Sequence, residues 1–209
     1  QKLKRININF DQSDRKKIIL KEVDKITKKK GLNFVMNQQL IDEVVNLVES
    51  PNVFLGQFNK KYLKLPNEVL TTSMIKNQRY FPLFYKDNTL SNFFLIVSNL
   101  KPSDNGKKIT YGNQRVIEAR LEDASFFWIK DNNSNFKDKV EELKRVIFHN
   151  KLGSMHDKIL RLKKIAIFFA ENSKLEYETQ RNLEISINIC KNDLVTEIVR
   201  EFPSLQGTI

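Results

Sequence analysis

With 209 residues, 40% hydrophobic and 29% charged, the chain is long enough for one large domain or two small ones, each with a real core. Six glycines and five prolines are too few for long flexible linkers, no apolar run is long enough to span a membrane, and a single cysteine, Cys190, excludes an internal disulfide and a multi-cysteine zinc site. The net charge is +11, and residues 1–30 hold eleven of the lysines and arginines against four acids.

That basic opening suits contact with phosphate backbones, although a solvated helix face produces the same composition. The start, QKLKRININF, lacks the apolar core of a signal peptide, which points to a cytoplasmic chain. It also lacks an initiator Met, which points to a piece of a longer chain.

Ile19, Val23 and Ile26 recur at helical spacing and predict an amphipathic helix over 12–30, capped by Asp11 or Ser13 and ended by Gly31. Asn37 caps a second helix, with Leu40, Ile41, Val44, Val45 and Val48 on one face and Pro51 beyond its end. Strand patterns follow. VFLGQF (53–58) and YLKL (62–65) predict a β-hairpin with its tip at Asn59 and Lys60. A short helix from Pro66 runs straight into RYFPLFY (79–85), with Pro82 marking an edge or a bulge. KDNT (86–89) turns the chain into FFLIVSN (93–99), whose unbroken apolar run predicts a central strand covered on both faces. Leu65, Val69, Met74, Tyr80, Phe81, Phe94 and Ile96 are expected to share one core.

Beyond the SDNG turn the pattern is helical. Ile117, Leu121, Ala124 and Trp128 stripe one helix; Phe136, Val140, Leu143 and Ile147 stripe the next. Ile159, Leu162, Ile165, Ala166 and Phe169 stripe a third, Leu183, Ile187 and Cys190 a fourth, and Leu194, Ile198 and Phe202 a last one, stopped by Pro203. The fold class expected is α+β: a helical hairpin over 1–50, a strand-rich domain with helices over 51–131 and an all-helical segment over 132–209.

Catalytic constellations are sparse. The two histidines, His149 and His156, are separated by a predicted break. His156-Asp157 spells the dipeptide of metal phosphohydrolases, but the further ligands such a site needs are not near in sequence. Ser154 and Asp157 fit a capping box at a helix start. Cys190, on an apolar stripe, is expected in a core. No glycine-rich phosphate loop is present. Glu118, Glu122 and Asp123 alternate with Arg115 and Arg120 at helical spacing, which predicts an ion-pair ladder. Gln78 and Arg79 form a polar pair at the helix-to-strand joint. Of the cations, Lys16, Lys17, Lys28, Lys29 and Lys30 crowd the first helix and its end, where few acids offset them, and these five are the expected phosphate contacts.

Leu65-Pro66-x-Glu68-Val69-Leu70, then Met74, then Gln78-Arg79-Tyr80-Phe81 resembles the signature of the β subunit of bacterial tetrameric glycyl-tRNA synthetase. Three further blocks keep that family's order. They are Gly112-Asn113-x-x-Val116 with Ala119-Arg120-Leu121-x-Asp123-Ala124-x-Phe126-Phe127, then Leu152-Gly153-Ser154 with Asp157-Lys158. The last is Lys191-x-Asp193-Leu194-x-Thr196 with Glu201-Phe202 and Leu205-Gln206-Gly207. No block falls in the first thirty residues, and Asn77 stands where the family often has His. The resemblance implies an enzyme of α and β subunits that joins glycine to tRNA(Gly) with ATP. Glycine and ATP are bound on α, so no cofactor and no catalytic or metal-ligating residue is expected here. The β subunit recognises tRNA and supports α. Pro51 to Asp131 would be similar to the B3/B4 domain of phenylalanyl-tRNA synthetase, and the part from Phe136 on to the start of an HD-type domain. The chain would be an internal piece of the subunit, and Gln78, Arg79, Arg115 and Arg120 motif residues with a structural or tRNA-contacting role. Two other readings are a metal phosphohydrolase or editing-like hydrolase domain, and a purely structural scaffold.

Overall fold

A computed structural model describes residues 8–209. Lys2, Lys4 and Arg5 of the basic opening lie outside the described residues. By contacts the chain divides into two compact units, Gln1–Ser125 and Phe126–Ile209.

In the first unit, helix α1 (Gln12–Lys30) starts where the Asp11 carboxylate accepts the Ser13 and Asp14 N–H groups. It stops at Gly31, whose φ of 65 lets its N–H return to the Lys28 carbonyl. Strand β1 (Asn33–Phe34) follows, then helix α2 (Gln38–Leu47), capped by Asn37. Three longer strands, β2 (Asn52–Gln57), β3 (Phe81–Phe84) and β4 (Leu90–Ser98), complete an antiparallel sheet of order β1-β3-β4-β2. The apolar run of β4 is thus internal, with strands on both sides and few exposed residues.

The expected hairpin of 53–58 with 62–65 does not form. β2 pairs instead with β4, with Phe54 opposite Ile96 and Gly56 opposite Phe94. Phe58 continues that pairing by giving its N–H to the Asn92 carbonyl, while the Asn92 amide returns a bond to the Phe58 carbonyl. Asn59 then caps a 3-10 turn (Lys60–Lys64) by accepting the Lys61 N–H, and the turn buries Tyr62. An asparagine that can cap competes with a two-residue hairpin tip, and here the longer pairing with β4 decides the outcome. β1 has no sequence signature, because two residues carry no alternation.

The core expected around Met74 is divided by the sheet. Phe81 and Leu95 pack with Ile19, Val23, Ile41, Val44 and Val45 of α1 and α2. Phe94 and Ile96 point to the opposite face, because successive side chains alternate. There Phe94 stacks on Tyr80 at 4.8 Å and on Phe58 at 6.3 Å. Gly56 lies against this cluster: a Cβ there would come 2.5 Å from Phe94 Cζ. The ring has nowhere to go, being fully buried between Tyr80 and Phe58. Gly56→Ala is therefore expected to destabilise by about 1–3 kcal/mol through overpacking. An unchanged denaturation midpoint would show that the ring yields.

Helix α3 (Asn67–Thr72) has Pro66 at its cap, one position before the expected first turn, and widens into a π turn (Ser73–Asn77). The Tyr80 N–H reaches back six residues to the Met74 carbonyl at 2.9 Å. Pro82 sits at a register shift between β3 and β4, where its missing N–H costs least. Helix α4 (Lys107–Asn132) buries Ile117, Leu121 and Ala124.

In the second unit, the segment expected as an α-helix with stripe Phe136 to Ile147 is a 3-10 run (Phe136–Arg145). It buries Leu143 and leaves Ile147 74% exposed, in strand β5 (Ile147–His149). β5 pairs with β6 (Gly153–Ser154) in a small ribbon where only helices were expected. Helices α5 (Met155–Asn172) and α6 (Tyr177–Ile189) follow. Cys190 is exposed at the end of α6, not in a core, because α6 has no fully buried residue to carry the stripe inward. The last expected helix is broken at Thr196, whose extended backbone separates a 3-10 turn (Asn192–Val195) from α7 (Glu197–Glu201). Leu143, Ile159 and Val195 form the core here.

Candidate nucleic-acid interface

The five lysines on α1 do not share one surface. Arg15, Ile19, Val23 and Thr27 recur every fourth residue and are buried, so the opposite side of the helix carries Lys17, Lys21 and Lys28. Lys21 was not among the expected contacts, yet its spacing from Lys17 and Lys28 already placed it with them. Lys16 turns toward α2 and meets Asp42 at 3.1 Å. Asp42 also takes the Gln38 amide, and these two partners, Gln38 first, hold its carboxyl below the ordinary value. Lys30 lies over the Phe93 ring at 5.5 Å. Lys17 pairs with Asp14 at 3.7 Å and Lys28 with Asp24 at 2.8 Å. Acids therefore offset more of these charges than expected. Exposed pairs of this kind contribute about 0–1 kcal/mol, so a phosphate competes with them easily. Lys21 and Lys29 have no ion pair among the described residues.

Arg15 sits behind this face, 8% exposed, and is held entirely by carbonyls. Its Nε donates to Val45 at 2.9 Å, and its Nη1 donates to Asn9 at 2.8 Å and Phe10 at 2.6 Å. It closes the C-terminal end of α2, where a cation complements the helix dipole. Its charge is committed to the fold.

At the joint, Arg79 has a φ of 56, a left-handed conformation costing a non-glycine residue about 1–2 kcal/mol. Its side chain explains why it is tolerated. Nε meets the Glu43 carboxylate at 2.6 Å, and Nη1 donates to the Lys76 carbonyl at the end of the π turn. Arg79 thus links the joint to α2. Glu43, Lys76 and Arg79 line a groove of about 280 Å³ together with Asn37, Gln39 and Ile75. Gln78 is half-buried at the end of the π turn.

In the ion-pair ladder expected on α4, Glu118, Glu122 and Arg115 have other partners. Glu118 accepts the Asn59 N–H at 2.9 Å. Glu122 accepts from Lys61 at 2.8 Å and from the Tyr62 hydroxyl at 2.6 Å, and these two bonds hold its carboxyl below the ordinary value. Both acids serve the 59–62 turn, on a neighbouring element that a helix-only pattern cannot see. Arg115 lies instead over the Tyr111 ring at 6.0 Å. Arg120 is exposed and has an interaction of its own. Two motif blocks meet where the Tyr80 hydroxyl donates to Asn113 Oδ1 at 2.5 Å. Burial pushes the Tyr80 hydroxyl up to about 12.

In the second unit, Ser154 and Asp157 form the expected capping box. The Ser154 N–H and Oγ–H both donate to the Asp157 carboxylate, and the Asp157 N–H donates to Ser154 Oγ. Asp157 is thereby held below its ordinary value of 3.8, first by the Ser154 N–H and then by its hydroxyl. A depressed folded pKa stabilises above the unfolded value, and that contribution disappears as pH falls through the folded one. The first turn of α5 is therefore expected to fray on the acid side of 3.8. Asp157→Asn should flatten that dependence in the chemical shifts of residues 155–158. His149 Nδ1 accepts the Lys151 N–H. No cluster of three or more potential metal ligands occurs among the described residues. No helix among them is long and apolar enough to cross a membrane.

The last motif block also holds structure together. Asp193 Oδ2 accepts the Gly207 N–H at 2.8 Å, and Thr196 Oγ1 accepts the Val199 N–H at 3.2 Å. Asp131 accepts the Glu197 and Ile198 N–H groups at the start of α7.

The sequence model described as glycyl-tRNA synthetase beta subunit matches residues 1–209, so the likeness extends over the first thirty residues as well. A glycine–tRNA ligase beta subunit of Syntrophomonas wolfei is 43% identical over 199 residues, covering 95% of this chain and 28% of that protein. Those of Halothermothrix orenii and Thermodesulfovibrio yellowstonii are 40% and 41% identical, covering 97% and 98% of this chain and 29% and 30% of theirs. The chain thus spans less than a third of the length of these curated relatives. A match along its whole length, joined to motif blocks whose residues tie the fold together, shows that the chain belongs to the glycyl-tRNA synthetase beta subunit family.

Proposed function

We propose that the chain is part of the β subunit of a glycine–tRNA ligase. There it contributes to tRNA recognition and to assembly with the catalytic α subunit during ATP-dependent attachment of glycine to tRNA(Gly). Glycine and ATP bind on α in this reading, and the setting is cytoplasmic. The observation that carries it is the family match over residues 1–209. The exposed face with Lys17, Lys21 and Lys28 supports the tRNA half. Ile165, Phe168 and Phe169 on α5, each more than half exposed, support the assembly half, because protein partners cover such apolar surface.

The test is an anisotropy titration of labelled tRNA(Gly) with the chain at several salt concentrations. Log affinity is expected to fall linearly with log salt, by roughly 0.7 to 0.9 per phosphate engaged. No binding at low salt, or binding indifferent to salt, would refute the tRNA half. Failure to associate with α would refute the other.

A further inference from the structure

Tyr111 stands 64% exposed on α4, a large ring that no core requires. The residues around it add charge without neutralising it. Arg115, one turn on, lies over the ring at 6.0 Å and has no acid partner among the described residues. Lys107 and Lys108, one turn before, are exposed. The nearby acids Asp104, Glu118 and Glu122 each accept hydrogen bonds from other groups. Asp104 takes the Gly106 and Lys108 N–H groups, Glu118 takes Asn59, and Glu122 takes Lys61 and Tyr62.

Gly112 adds an independent observation. It lies inside a helix, where glycine is a poor former, and its φ is ordinary. A Cβ there would meet nothing within 4 Å. Neither packing nor conformation calls for glycine, and its effect is to leave bare backbone beside Tyr111, open to close approach.

We propose that the exposed side of α4 formed by Lys108, Tyr111, Gly112 and Arg115 is a contact surface for unpaired RNA nucleotides. Tyr111 stacks on a base across the bare backbone at Gly112, and Arg115 and Lys108 hold the flanking phosphates. An exposed ring beside cations that form no salt bridge among the described residues is what a single strand recognises, since a base offers its face only when it is unpaired. A surface for a protein partner would carry apolar area in place of this local excess of cations. The inference deepens the proposed tRNA role and rests on it.

The experiment titrates tRNA(Gly) transcript, and a blunt RNA duplex of similar length, with the full chain and four variants. Tyr111→Ala is expected to weaken tRNA binding roughly 10-fold, with the salt slope and duplex binding unchanged. Tyr111→Phe, which keeps a stacking face, should bind as the parent does. Arg115→Gln should weaken binding and lower the slope by roughly 0.7 to 0.9. Gly112→Leu should weaken tRNA binding while raising the melting temperature, which separates this effect from unfolding. A parent chain that does not bind tRNA at any salt would overturn the tRNA role and this inference together. A parent chain that binds with a normal slope while Tyr111→Ala and Gly112→Leu bind equally well would overturn this inference alone. Loss of association with the α subunit in those variants, with tRNA affinity intact, would also overturn it and assign the surface to a protein.

Discussion

Replacing Met74 with Asp is expected to destabilise the first unit by about 3 kcal/mol or more. Met74 has no exposed surface, and neither do Val69 and Leu70 in the turns before it. Its backbone is fixed as firmly as its side chain. Its carbonyl takes the Tyr80 N–H, the bond that closes the π turn before β3 begins. A carboxylate placed here has no access to water, because Met74 is fully buried. It must be buried with its charge, or take up a proton, or open the turn. Each route costs a large share of the roughly 5–15 kcal/mol by which domains are stable. Met74→Leu keeps volume and polarity and should cost less than about 1.5 kcal/mol, so the pair separates charge from shape. Urea titrations followed by circular dichroism measure both, and an Asp variant with the parent's midpoint would remove Met74 from the core.

Much of this first unit was legible because its signals are local and repeated. α1 shows its start in Asp11, its face in Ile19 and Val23, and its end in Gly31. The apolar run of β4 announced an internal strand because both its faces are covered. What stayed hidden depends on partners distant in sequence. YLKL reads equally well as a strand and as a 3-10 turn, and only the pairing of β2 with β4 decides between them. The pattern gives the Met74 core as one cluster, although Phe81 packs with α1 and α2 while Phe94 stacks on Tyr80 at the other face.

The candidate site repeats the lesson with charges. Lys16, Lys17, Lys28, Lys29 and Lys30 were visible as a cluster in sequence, but helical rotation and α2 disperse them. Glu118 is three residues from Arg115, which is good spacing for a pair within one helix. Asn59, nearly sixty residues away, takes that carboxylate instead. Cys190 was placed inside by a stripe that the rest of α6 does not bury. Arg79 stands at a joint that is visible in the sequence, but its left-handed backbone and its link to Glu43 carry no sequence signal.

Changing Lys16, Lys17, Lys28, Lys29 and Lys30 together to Gln is expected to weaken tRNA binding and flatten its salt dependence. The structure apportions that loss unequally. Lys16 is half-covered and held by Asp42, and Lys30 leans on Phe93, so neither projects from the outer face of α1. Lys17 and Lys28 do, and their partners Asp14 and Asp24 are exposed acids that hold them loosely. Lys29 has no ion pair among the described residues to give up. Three phosphate contacts correspond to a fall of roughly 2 to 3 in the slope of log affinity against log salt. Lys17, Lys28 and Lys29 changed together should reproduce nearly all of it, Lys16 and Lys30 changed together almost none, and adding Lys21→Gln to the first set should deepen it. Sequence preference should not change, because a phosphate carries no base identity. Tyr111→Ala acts on stacking and leaves the slope alone, so the two surfaces are separable in one set of titrations. An affinity and slope unaltered by all five substitutions would leave the lysines as a solvated helix face.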